Sequence, residues 1–184
     1  MSVILPSKII KSILPYAALP AIIAVVYIMQ SERLHTAVLL NYMIIVFFGY
    51  IAAIGDVKTK HIPNALILSK LMVWACITAL HTFVDIQSAI PLIVNSALGF
   101  VVSGVLFLTV YLVSRKGLGG GDVKFMAAAG LYLGVSGSLT ATFVGATLAA
   151  VVGLALIALK KIGRKDTLPL APFLFAGILV AVLS

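Results

Sequence analysis

The chain has 184 residues, of which 62% are hydrophobic and only 10% are charged. Water-soluble domains carry roughly 25% charged residues, so this composition excludes an ordinary soluble domain and indicates a protein that lies largely in lipid. Thirteen Lys and Arg residues exceed five Asp and Glu residues, which gives a formal net charge of +8. Because the basic residues stand between long apolar runs, we interpret them as markers of membrane topology and predict no nucleic-acid partner.

Seven apolar runs approach the length of a membrane-spanning helix, which needs about 20 residues. They cover residues 12–29, 37–54, 62–83, 88–113, 123–134, 138–159 and 168–183. The first run contains Pro15 and Pro20 and is expected to be kinked, and the fifth is short and is expected to be tilted or to span half the bilayer. The sequence therefore predicts an all-α polytopic membrane protein with about seven apolar segments.

The basic residues predict a cytoplasmic N-terminus, and the first segment, which has no clear cleavage site and is followed by many apolar segments, is predicted to be retained in the membrane. With this orientation, eleven of the thirteen Lys and Arg residues fall on the cytoplasmic side, as the positive-inside rule requires. Arg33 falls on the other side, and Lys70, inside the third run, is expected to extend toward the nearer cytoplasmic interface. The eleven are Lys8, Lys11, Lys58, Lys60, Arg115, Lys116, Lys124, Lys160, Lys161, Arg164 and Lys165.

Residue types that bind metals or form disulfides are few. The single cysteine, Cys76, excludes an intramolecular disulfide and a multi-cysteine zinc site. The histidines at 35, 61 and 81 do not have the spacing of metal ligands, so we predict neither a metal nor a cofactor. Gly145, Ala149 and Gly153 recur every four residues and predict a close helix-packing face.

The five acidic residues separate into two groups. Glu32, Asp85 and Asp166 fall in connections between apolar runs, whereas Asp56 and Asp122 lie at the cytoplasmic ends of such runs. A carboxylate beside an apolar span is costly and marks a water-filled or functional site. Each also has a structural interpretation: Asp122 as a helix N-cap after three glycines, and Asp56 as a boundary charge that faces cytoplasmic water.

Asp56 and Asp122 on one membrane face suggest a pair that shares a proton. Such a pair hydrolyses an amide when its ionised member activates water and its neutral member acts as the acid. Asp122, at a helix start near Lys124, is predicted to be the base, and Asp56, at a helix end, the acid. The alternatives are a small ion- or proton-coupled transporter that uses the two aspartates, with residues 123–134 as a broken helix, and a non-catalytic assembly subunit.

The same residues carry a resemblance to a known family, the type IV prepilin peptidases, which are membrane aspartic proteases of the GxGD type. Two of its motifs are matched by Gly119-Gly120-Gly121-Asp122 with Lys124 following, and by Asp56 with Ile62-Pro63-Asn64 following. The segment Leu168-Pro169-Leu170-Ala171-Pro172-Phe173 is similar to the one that opens the family's last helix. The resemblance covers residues 37–184 as a six-helix peptidase core and leaves an N-terminal membrane segment, residues 1–36, outside it.

The resemblance implies an endopeptidase of the bacterial inner membrane that removes the basic leader of prepilins or pseudopilins on the cytoplasmic side. Its partners would be the substrate helix and membrane lipid, and no oligomeric state is predicted. Asp56 and Asp122 are implied as the catalytic pair. The site would be shaped by Gly119, Gly120, Gly121, Lys124, Pro63 and Asn64, the glycines leaving room for an extended substrate backbone.

The single cysteine also bears on which branch of the family the chain resembles. The larger, bifunctional members carry paired CxxC motifs and N-methylate the new amino terminus. Here one cysteine is present in the whole sequence. The chain therefore looks like the short, peptidase-only branch found in tight-adherence pilus systems, and no N-methylation is expected.

Overall fold

A computed structural model describes residues 14–34, 36–114, 118–161 and 168–184. Over these ranges a 3-10 turn, Leu14–Tyr16, is followed by six α-helices and no strand, so the predicted all-α class is confirmed. The helices are α1 (Leu19–Gln30), α2 (Thr36–Thr59), α3 (Asn64–Val84), α4 (Ile86–Val113), α5 (Gly120–Ala158) and α6 (Ala171–Leu183). Helices α2 to α5 are long and apolar enough to cross a membrane, whereas α1 and α6 are shorter apolar helices.

Several residues named in the sequence predictions lie outside the described ranges. They are Lys8, Lys11, His35, Arg115, Lys116, Arg164, Lys165 and Asp166. The cytoplasmic placement of the N-terminus therefore stays a prediction.

Helix α5 contains both the fifth and the sixth apolar runs, so the described chain has six helices where the sequence predicted seven segments. The two runs are divided at Gly134, whose backbone is non-helical with φ 65° and ψ −167°. Beyond this break Ala141 lies against Gly177, and Gly145 lies against Leu174 of α6. The second half of α5 therefore runs back toward the start of α6, while its first half runs away from Asp122.

Close contacts between small residues join the helices around α5. Gly99 of α4 and Gly130 of α5 approach so closely that a Cβ on either would overlap the backbone of the other. Apolar helices in lipid associate mainly through such van der Waals contact, which small residues permit. The predicted packing face is confirmed at Gly145, which lies against α6, and is wrong at Gly153, where a Cβ would meet open space.

The connection between α2 and α3 brings backbone close to the beginning of α5. Helix α2 ends where Lys60 takes the left-handed conformation, with φ 51°, and donates its N–H to the carbonyl of Asp56 at 2.8 Å. This is a common way for a helix to end. Pro63 then provides the N-cap of α3, and Ile62 between them is only 3% exposed.

Candidate active site

The two aspartates meet at one end of the helix bundle. Asp56 lies in the last turn of α2 and Asp122 in the first turn of α5, and their exposed fractions are 5% and 9%. Both line one cavity of about 290 Å³. The other residues lining it are Lys60, His61, Ile62, Asn64, Gly119, Gly120, Gly121 and Lys124. Of the residues predicted from the sequence to form the site, Pro63 alone is not in this lining; it stands beside it as the cap of α3.

The carboxylate of Asp56 is bound by the beginning of α6. The backbone N–H of Ala171, the first residue of that helix, donates to Oδ2 of Asp56 at 2.9 Å. The first N–H groups of a helix have no partner within the helix and carry a partial positive charge. The segment 168–173 was predicted to open the last helix, but its backbone contact with Asp56 was not predicted.

Asp122 does not act as the N-cap of α5, so that structural interpretation is wrong. Gly119 holds the N-cap position without any side-chain bond, and Asp122 comes three residues later, in the first turn. Its Oδ1 is buried and has no hydrogen-bond partner among the described residues. A buried carboxylate oxygen without a partner is costly, and such atoms in native proteins call for an explanation, catalysis among them.

The three glycines before Asp122 are not equivalent. A Cβ on Gly119 would lie 2.8 Å from Oδ2 of Asp122, a distance that real Cβ atoms essentially never show. A Cβ on Gly121 would lie 3.3 Å from Cβ of Ile62, which is tight, whereas one on Gly120 would meet nothing within 4 Å. The middle glycine therefore corresponds to the variable position of the GxGD pattern, and the outer two allow close approach.

Two cationic side chains stand at the edge of the cavity. Lys124 donates from Nζ to Oδ1 of Asn64 at 3.3 Å, which links the beginnings of α5 and α3 across an exposed position. Lys60 lines the same cavity from the end of α2. Two segments far apart in the sequence, residues 56–64 and 119–124, thus place two carboxylates and two ammonium groups together. Within the described ranges, no three His, Cys, Asp or Glu residues are grouped as a metal site.

Comparison with known proteins decides the family. The profile of the Type IV leader peptidase family matches residues 42–154, which is more than half of the chain and includes Asp56 and Asp122. The chain belongs to this family. With the four long apolar helices, this makes the chain a multi-pass membrane protein.

This family member is similar to several curated proteins named prepilin leader peptidase/N-methyltransferase. It is 31% identical over 134 residues to the one from Bacillus subtilis (strain 168), covering 72% of this chain and 51% of that relative. To the one from Pectobacterium carotovorum subsp. carotovorum it is 29% identical over 136 residues, covering 73% and 48%. To the one from Burkholderia pseudomallei (strain K96243) it is 29% identical over 123 residues, covering 66% and 39%.

The matched region spans about half, or less, of the length of these curated relatives. No solved structure matches the chain.

Proposed function

We propose that this protein is an aspartic endopeptidase that cleaves the basic leader from prepilins or pseudopilins. The observation that carries the proposal is the shared cavity of Asp56 and Asp122, two buried carboxylates that both lie within the family match. A pair of this kind supplies both a base and an acid for amide hydrolysis. The name that the curated relatives share, prepilin leader peptidase, supports the class of substrate.

In the proposed reaction the two aspartates divide one proton between them. Asp56 is ionised because it accepts the N–H of Ala171 at a helix start, whereas the unpaired Oδ1 of Asp122 is buried and suits the neutral acid. This is the reverse of the assignment made from the sequence. For Asp56, that assignment considered only the end of α2, on which this residue lies, and could not include the start of α6.

The bonds change in two stages. Asp56 takes a proton from water as the water oxygen attacks the scissile carbonyl carbon, and Asp122 gives its proton to the carbonyl oxygen. Asp56 then passes its proton to the leaving nitrogen, the C–N bond breaks, and the hydroxyl proton of the intermediate returns to Asp122. The substrate backbone must be extended for this attack, and the Gly119–Gly121 turn offers an approach without side chains.

We place the site at the cytoplasmic face of the bacterial inner membrane. Five described lysines belong to the end of the bundle that carries the aspartates, whereas Arg33 follows α1 at the opposite end. An excess of Lys and Arg is typical of the cytoplasmic side. The five are Lys58, Lys60, Lys124, Lys160 and Lys161.

We further propose that the reaction stops at cleavage, without N-methylation of the new amino terminus. This part rests on the single cysteine of the sequence, since the bifunctional enzymes that the chain resembles carry paired CxxC motifs. Mass spectrometry of the cleaved substrate tests it. A free amine on the mature fragment in the presence of S-adenosylmethionine is the expected product, and an N-methyl amine contradicts this part.

The alternative function, an ion- or proton-coupled transporter, places a broken helix at the ion site. Helix α5 is broken at Gly134, but this break lies twelve residues beyond Asp122, about 18 Å along the helix. The position of the break therefore favours the peptidase over the transporter.

One experiment separates the two functions. Purified protein in detergent is incubated with a synthetic prepilin peptide that contains the basic leader and the start of the apolar helix, and the same protein in liposomes is assayed for proton flux. The peptidase predicts one cleavage between leader and helix. Proton flux that is lost in Asp56→Asn, with no cleavage by wild-type protein, supports the transporter instead.

A further inference from the structure

Lys70 is a buried lysine that the proposed reaction does not use. It lies in α3 and is fully buried, with an exposed fraction of 0%. The sequence predicted that this side chain extends toward the cytoplasmic interface, and that prediction is wrong. Its Nζ donates to the carbonyl oxygen of Phe125 at 2.7 Å and lies 3.7 Å from the centroid of the Phe125 ring.

A second contact ties the same residue to the same helix. The hydroxyl of Tyr132, itself 4% exposed, donates to the backbone carbonyl of Lys70. Lys70 is therefore bound through its side chain and its backbone to two residues of α5 that lie two turns apart. A buried lysine is costly in a membrane protein, and such residues are retained for function more readily than for stability.

The position of Phe125 indicates what the two contacts of Lys70 with α5 do. Phe125 follows Asp122 by one helical turn, and the residues just before Asp122 are glycines, which have no side chains to pack. The other polar contact between α3 and the first turn of α5, from Lys124 to Asn64, is exposed. Because lipid provides no hydrophobic driving force between helices, buried polar contacts have a large share in setting their register.

We propose that Lys70 is a positioning residue for Asp122. Its terminal amino group holds the carbonyl of Phe125 and so fixes the depth and rotation of the first turn of α5 against α3, with Asp122 facing Asp56. The role rests on the proposed peptidase function. It follows that loss of Lys70 slows the chemical step while substrate binding, which depends on the whole cavity, is little changed.

The first test compares Lys70→Met, which keeps the length and removes the hydrogen-bond donor, with Lys70→Arg, which keeps a donor. Ser69→Ala, at an exposed position next to Lys70, is the matched control. For Lys70→Met we expect kcat to fall by about 10- to 100-fold, with KM within about 2-fold of wild type and the melting temperature not lowered. Lys70→Arg recovers part of kcat, and Ser69→Ala behaves as wild type.

A wild-type kcat in Lys70→Met overturns the proposal. A lower kcat together with a higher KM and a lower melting temperature also overturns it, because this combination marks a purely structural role. If Lys70→Met does not fold, Tyr132→Phe tests the proposal instead, because it removes the hydrogen bond to the carbonyl of Lys70 and keeps the ring. We expect a lower kcat at unchanged KM there, and a wild-type kcat overturns the proposal.

A third measurement does not depend on activity and so separates this proposal from the proposed function. Asn64→Cys and Lys124→Cys, made together with Cys76→Ala, place two thiols at the beginnings of α3 and α5, at positions whose native side chains are hydrogen-bonded. A short bis-maleimide reagent, which replaces the reach of the lysine side chain, is expected to join them efficiently when Lys70 is present and poorly in Lys70→Met. Equal cross-linking contradicts the positioning role, whereas failure of wild-type protein to cleave a prepilin peptide contradicts only the function.

Discussion

The backbone N–H of Ala171 donates to Oδ2 of Asp56 and joins two residues that are 115 positions apart in the sequence. Asp56 lies near the C-terminal end of α2, where the helix dipole disfavours a carboxylate, and the start of α6 offsets this with its own unpaired N–H groups. The last helix is therefore part of the candidate site, although it contributes no side chain to the lining of the cavity.

This hydrogen bond has a signature in the amide spectrum. In ¹⁵N-alanine-labelled protein, the amide proton of Ala171 is expected far downfield, because a bond to an ionised carboxylate is short and strong. We expect Asp56→Asn to move it upfield and Asp122→Asn to leave it nearly unchanged. An Ala171 signal that does not respond to Asp56→Asn contradicts the contact, and Ala171→Gly identifies the signal.

The glycines before Asp122 predict unequal effects of the same substitution. Gly119→Ala places a methyl group 2.8 Å from Oδ2 of Asp122, so the carboxylate must move, and we expect kcat/KM to fall by at least about 10-fold. Gly120→Ala, whose methyl group meets nothing within 4 Å and leaves the Asp122 carboxylate in place, is the comparison, and we expect a smaller loss of kcat/KM there than for Gly119→Ala. Peptide cleavage assays of the two variants measure this, and equal activities argue against the described turn.

The break in α5 predicts a loss of stability that is independent of the site. Gly134→Ala forces an L-residue to φ 65°, which costs about 1–3 kcal/mol, and also brings Cβ against the side chain of Asn95. That side chain accepts the N–H of Val135 at 3.2 Å. We expect the melting temperature in detergent to fall by roughly 2–10 °C. Gly153→Ala, in the same helix with open space around it, should not lower it, and a stable Gly134→Ala protein contradicts the break.

Much of the fold follows from hydropathy, but the division of the helices does not. The apolar runs were located because lipid requires long stretches without charge, and α2, α3 and α4 begin and end close to them. The fifth and sixth runs are joined in α5 across a non-helical break at Gly134, after which the chain runs back, and hydropathy carries no signal for that backbone conformation.

The candidate site was predicted in part for a related reason. Only five acids occur in the chain, so Asp56 and Asp122 could be separated from those in connections, and their approach in the structure agrees with that choice. The contributions of Ala171 and Lys70 could not be predicted. Ala171 acts through a backbone N–H, which every residue except proline possesses. Lys70 acts through a contact with a carbonyl on a helix that is far away in the sequence.

The most direct test of Asp56 and Asp122 as the catalytic pair replaces each of them by asparagine, which keeps the shape and removes the ionisable group. Asp85→Asn is the matched control, because Asp85 caps α4 outside the cavity and asparagine is an equally good N-cap. With a prepilin peptide as substrate, we predict that Asp56→Asn and Asp122→Asn each lower the cleavage rate by at least about 100-fold, while Asp85→Asn cleaves as wild type. Cleavage at the wild-type rate by either Asp56→Asn or Asp122→Asn would contradict a catalytic pair formed by these two residues.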